Sequence, residues 1–265
     1  MDLSNYRHPT EHAKINQFAT RCFRDTGDAD YIAARLAMRS RLAGPFLWSA
    51  EQAVEKYLKC ILMLNRKETH DLSHNIVKAF NRINSTLPFE ITLSEMEQKV
   101  FSHLAEWGGD RYLIASFVLS DIEVLQLDML VWRLRQYCTP LDVIHYADTP
   151  SEKVLLDNVS RLEAGLNGSA KAGHVAGGML EKVLADKKHS AHDALVWQNL
   201  RYSLITRKRI GFVKGFQGVN SPLSLNPELV DEAAKWMRIP KEIVDAAHDL
   251  FKERERTKSQ LSGDV

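Results

Sequence analysis

The chain is poor in cysteine and in long apolar runs, and it carries almost no net charge. Its 265 residues include three cysteines, Cys22, Cys60 and Cys138. They are odd in number, far apart and free of any CxxC spacing, which excludes a disulfide framework and a cysteine zinc motif. Cys60 falls in the apolar run Cys60-Ile61-Leu62-Met63-Leu64 and reads as a small core residue. No apolar run nears the roughly 20 residues that span a bilayer, so no membrane role is expected. The opening stretch MDLSNYRHPTEH lacks the apolar segment of a signal peptide. The expectation is a soluble, cytoplasmic chain. Formal net charge is +1, from 35 basic and 34 acidic residues. That excludes a nucleic-acid footprint over the whole surface, and an anionic ligand has to be met by a local patch. No cofactor is expected.

What the chain does have is helical period. From Phe46 the apolar positions are Phe46, Leu47, Ala50, Ala53, Val54, Tyr57, Leu58, Ile61 and Leu62. That spacing predicts a helix of about five turns. Pro45 suits its first turn, and Gly44 ends the segment before it, residues 28–42. Residues 72–83 repeat the period, with Thr69 as the cap, and another helix is expected after Thr92 or Ser94. Gly108 and Gly109 break the pattern. The longest stretch follows, residues 113–137, apolar on most sides and so central or at an interface. No segment alternates with period two for long.

The likeliest boundary lies at Pro140 and residues 145–150. Two parts follow: 1–140, an antiparallel helical bundle, and 141–265, a smaller and mostly helical region of unknown role. In the second part helices are expected over 151–166, 178–188 and 190–206. Residues 209–225 read as a loop or short hairpin. Asn226-Pro227-Glu228 starts a helix that ends near Met237, and Pro240 starts the last one.

THDLSH, residues 69–74, places His70 and His74 four apart, as a metal pair on one helical face would be. A third ligand and a base are missing from the spacing, so no metal is expected. The competing reading is a helix start, with Asp71 complementing the helix dipole. His189 and His192 are likewise a pair without a third ligand.

Two features together carry a family resemblance. The stretch Trp48-Ser49-Ala50-Glu51-Gln52-Ala53-Val54-Glu55-Lys56-Tyr57-Leu58-Lys59 resembles the "QA-EK-LKA-L" helix of HEPN domains. The family's "THDL" segment follows as Thr69-His70-Asp71-Leu72. Its "RYP" is matched by Arg111-Tyr112-Leu113, without the proline, and Asp30 to Arg35 resemble its first helix pair. The resemblance covers residues 15–138. It implies an all-α HEPN-like bundle that forms a homodimer. It also implies binding of nucleotide or RNA phosphate, with Lys56, Lys59, His70, Arg111 and Tyr112 as the surface. A nucleotidyltransferase-like protein is a further partner seen in some HEPN pairs.

Two alternatives stay open. One is a metal-independent ribonuclease, acting as a toxin or defence effector. The nuclease branch pairs an arginine with a histidine at R-x(4–6)-H spacing, the histidine for proton transfer and the arginine for phosphorane charge. No histidine follows Arg111 at that spacing. The pattern fits only Arg7 and His12, and a displaced pair would be Arg66 with His70 or His74. The other alternative is a non-catalytic scaffold. Outside the resemblance, Arg201, Arg207, Lys208 and Arg209 interleave with Tyr202 and Phe212 as a second basic patch. Arg35, Arg39 and Arg41 form a similar cluster upstream.

Overall fold

The computed structural model describes residues 9–110, 112–143, 149–166, 175, 177–203 and 215–263. The chain is mostly helical and divides into two compact units. One holds residues 1–109 and 122–213, the other 110–121 and 214–265. This division cuts across the boundary read at 140/141.

The larger unit is built on α3 (Ala43–Leu64). Every apolar position read from Phe46 to Leu62 is buried there. Around it lie α1 (Glu11–Ala19), α2 (Asp25–Arg39), α4 (Ile76–Thr86), α5 (Glu95–Trp107) and α6 (Glu123–Gln136). All five pack against α3. A π-helical turn, Thr20–Arg24, joins α1 to α2. Ser94 caps α5 through a reciprocal box: its hydroxyl accepts from the Glu97 amide, and the Glu97 carboxylate accepts from the Ser94 amide. The dense face read over 113–137 belongs to α6, which is buried on most sides.

Behind the expected boundary come α7 (Glu152–Leu166), α8 (Met179–Ala185) and α9 (His192–Val196). The helix expected over 190–206 is therefore only a short one. Elements α8 and α9 pack on α2, which is why the larger unit runs past residue 140. The link is polar and buried. Arg35 on α2 donates from Nε to the Ala194 carbonyl at 2.9 Å and from its amino end to the Trp197 carbonyl. Arg135 on α6 binds the Glu181 carboxylate of α8 through two hydrogen bonds of 2.7 and 2.8 Å. Gly178 makes room for that pair, since a Cβ there would lie 2.2 Å from Glu181 Oε2 and 2.4 Å from Arg135 Nη2.

The smaller unit corrects the reading of 113–137 as one helix. Asp110 gathers the backbone N–H groups of Tyr112, Ile114 and Ala115, a turn that replaces the expected helix start. Leu113 sits in it at φ 54°. Then β1 (Phe117–Ser120) pairs antiparallel with β2 (Phe216–Val219), with Phe117 opposite Val219 and Ser120 opposite Phe216. The strand expected as half of a local hairpin thus finds a partner far away in sequence. After β2 come α10 (Pro222–Leu225), a 3₁₀ turn at Pro227–Leu229, α11 (Val230–Ala234) and α12 (Lys241–Gly263). The Asn226-Pro227 and Pro240 starts stand where they were read. No helix among the described residues is long and apolar enough to cross a membrane.

Candidate functional site

THDLSH does not begin a helix. Residues 69–75 form turns, and α4 starts only at Ile76. The cap is Asn75, whose side chain accepts from the Lys78 amide at 2.8 Å, and not Thr69. The reason is local. Ser73 adopts φ 49°, which interrupts a right-handed helix, and buried Leu72 anchors the turn to the core. His70 and His74 therefore share no helical face. The His70 side chain is 76% exposed and faces Glu68, also exposed, at 3.9 Å. Asp71 accepts from Arg82 and Lys78, whose cations hold its carboxyl well below the usual carboxylate range. Among the described residues, no three His, Cys, Asp or Glu side chains gather as a metal ion requires.

His74 is the histidine that acquires a partner. Its Nδ1 lies 2.8 Å from Glu55 Oε2, on α3. Glu55 is buried, and its other oxygen accepts from Lys59. Lys59 also donates to the Ser73 carbonyl at 2.8 Å, so one lysine ties the turn to the helix beneath it. Its neighbour Lys56 pairs with Asp30 on α2. The two lysines read as a phosphate surface are thus each engaged by an acid of the same unit.

An open cleft of about 700 Å³ lies beside this turn. Ser73, His74, Asn75, Ile76, Val77 and Lys78 form one side, and Asn81 continues it along α4. Glu51, Leu104, Ala105 and Gly109 complete the lining. The first turn of α4 thus opens into the cleft. Its N–H groups are those a helix leaves without intrahelical acceptors, at the positive end of the helix dipole.

The remaining candidates are placed apart. Arg66, at φ 57°, folds back on the end of α3 and donates to the Met63 and Leu64 carbonyls at 3.1 and 3.0 Å. It also meets His12 Nδ1 at 2.7 Å, and His12 in turn faces Asp142 at 3.2 Å. Desolvation lowers the pKa of Arg66. Arg66 lines a separate cleft of about 300 Å³ with His12 and Asp142, so it is no partner for His74. Tyr112 is 76% exposed and belongs to the smaller unit. Arg201 stacks over Trp132, its guanidinium carbon 5.7 Å from the ring centre. Arg7, Arg111, Arg207, Lys208 and Arg209 lie outside the described residues.

The upstream basic cluster is not a patch. Arg35 is fully buried and paired with Asp128, whereas Arg39 and Arg41 are exposed. Asp128 also accepts from Tyr31 at 2.6 Å, and Tyr31 accepts from Asn199 at 3.0 Å. Arg135 binds Asp28 at 2.7 and 2.9 Å, with Tyr57 donating to the same carboxylate at 2.8 Å. Burial pushes the Asp28 and Asp128 carboxyls upward against the pull of their arginines.

Sequence reasoning missed Glu51, Glu55 as the partner of His74, and Lys78. A signal was present. Leu47, Glu51, Glu55, Leu58 and Leu62 run along one stripe of α3, so two carboxylates occupy positions that should be apolar. Comparison with family models, with curated proteins and with solved structures finds no match to the chain. The residues themselves carry the functional reading.

Proposed function

We propose that this chain is an HEPN-like helical protein that binds the phosphate of a nucleotide or nucleic acid in the α4 cleft. One observation carries the reading: the first turn of α4 opens into a cleft of about 700 Å³ flanked by His74 and Lys78. The helix start, where Asn75 caps only the Lys78 amide, the positive dipole end and a lysine together suit an anion. The resemblance of the α3 helix and THDL turn to HEPN domains adds to it. On this reading the ligand surface is His74, Asn75 and Lys78, which line the cleft where Lys56 and Lys59 do not, and Lys78 exchanges its Asp71 partner for the anion.

Thermal unfolding with millimolar pyrophosphate or nucleotide tests this. A ligand at 100 times its dissociation constant should stabilise by about 2.7 kcal/mol. Lys78→Ala should weaken binding by roughly tenfold, the factor for about 1.4 kcal/mol. An unchanged melting temperature with both ligands rejects the reading.

A second reading, ribonuclease, is favoured by the Glu55–His74 pair. A carboxylate on Nδ1 fixes the tautomer and leaves Nε2 for a ribose hydroxyl. The enzyme would cleave RNA in the presence of a chelator, and His74→Ala would abolish cleavage. Cleavage that survives this substitution removes His74 from the chemistry. Arg66 has no part in this version, because its guanidinium is engaged elsewhere.

A further inference from the structure

We infer that Cys60 and Cys138 form an oxidative cross-linking site, two free thiols that a hydroperoxide converts to a disulfide between α3 and the end of α6. Both residues are fully buried, and both are free cysteines. Far apart in sequence, they meet over one turn of α3. The Cys138 thiol donates to the Tyr57 carbonyl at 3.4 Å, and Tyr57 stands one turn before Cys60 on that helix. Side chains on a helix lean toward its N-terminus, so Cys60 projects over the same turn. Burial pushes the Cys138 thiol well above its ordinary pKa, and the neighbouring Cys60 thiol adds to the effect.

A buried polar group resists chemistry when its partners would be left without a bond. Here the cost is small, because a thiol is a weak donor. The Leu134 carbonyl, which the Cys138 thiol also meets at 3.6 Å, already accepts from the Tyr137 amide. The Tyr57 carbonyl lies inside α3 and accepts from the helix backbone. Losing the Cys138 proton therefore strands neither carbonyl. Cys138 also lies beyond Gln136, the last residue of α6, so the two sulfurs can close to bonding distance without bending a helix.

The chemistry needs one equivalent of hydrogen peroxide. One thiolate attacks a peroxide oxygen, the O–O bond breaks, and hydroxide leaves behind a sulfenic acid. The second thiol attacks that sulfur, the S–O bond breaks as the S–S bond forms, and water leaves. The two thiols give up two electrons and two protons, and the peroxide becomes two waters. Burial disfavours the reactive thiolate, so the pair reacts more slowly than exposed Cys22 and at the pace of local opening of the bundle.

The test treats the folded full chain carrying Cys22→Ser with millimolar hydrogen peroxide at neutral pH. Remaining thiols are then blocked, and peptides are mapped without reductant. A linked pair of peptides holding Cys60 and Cys138 is expected, two hydrogens lighter than their sum and separated by dithiothreitol. The linked chain should melt about 5–10 °C above the reduced one, and reductant should reverse the rise. Cys138→Ala in the same background should abolish both the link and the shift. Should that variant fail to fold, peptide mapping of the Cys22→Ser chain still decides. Recovery of Cys60 and Cys138 as thiols, under conditions that fully oxidise Cys22 of the wild-type chain, overturns the inference. So does oxidation of either residue to a sulfinic acid without a link, or a link that forms only in urea. A link without a rise in melting temperature overturns the placement, since a strained bond cancels what the closed loop contributes.

Discussion

Arg35 and Arg135 lie fully buried in the larger unit, while in the same unit Lys59 ties down the THDLSH turn and Lys78 lines the edge of a cleft. All four are paired with acids. The buried arginines are held by carboxylates, and Arg35 also by two backbone carbonyls, while tyrosine hydroxyls donate to the same carboxylates. The two lysines meet one acid and one carbonyl each, and Lys78 is half exposed. In the interior the dielectric is low, and removing one member strands the others. At the rim water screens the loss, and a ligand can exchange for the partner. The contrast separates charges that hold the core from charges paired near the surface.

The largest effect should follow Arg135→Ala, which leaves Asp28 and Glu181 facing each other without a cation. Urea unfolding should show a loss of about 3–5 kcal/mol. A loss within the range of surface substitutions would break the contrast. Tyr31→Phe removes the hydroxyl between Asp128 and Asn199, and its cost should be about 1–3 kcal/mol by the same measurement. At the rim, Asn75→Ala removes the α4 cap and should cost about 1 kcal/mol. Its loss should be matched by weaker pyrophosphate binding if the first turn of α4 holds the anion.

The smallest effect concerns Asp71. Arg82 and Lys78 depress its pKa in the folded state, so the stabilisation it provides is present above the ordinary aspartate value of about 3.9. That stabilisation is lost as pH falls through the depressed folded value. The midpoint of its carboxyl carbon in an NMR pH titration should lie below 3.9 by roughly the depression of one strong pairing. Arg82→Ala should return it toward the ordinary range, and a midpoint unaffected by this change would show that Arg82 is not the cause.

Legibility in the sequence followed local physics. The α3 stripe, a helix start at Thr92 or Ser94 and the Pro240 start were readable, because a helix is closed by neighbours three and four residues away. The strands were not. Phe117–Ser120 has four residues, and its alternation acquires meaning only beside Phe216–Val219. Arg35 read as part of a basic patch because its neighbours Arg39 and Arg41 are basic. Yet Asp28, Tyr31 and Arg35 share one stripe of α2, and all three are buried. Charges at core spacing were the overlooked signal.

The sequence by itself determined the helical character and the central helix, while THDLSH, read as a helix start, is a turn that only the fold revealed. Apolar period and caps are encoded within a few residues, and that range suffices for them. Only the tertiary structure decided which histidine meets a buried acid and which cations lie in the core. It set His74 on Glu55 and left His70 exposed. It buried Arg35 and placed Lys78 at a cleft. Such outcomes depend on desolvation and on partners from distant helices, and neither is a property of a short stretch of chain.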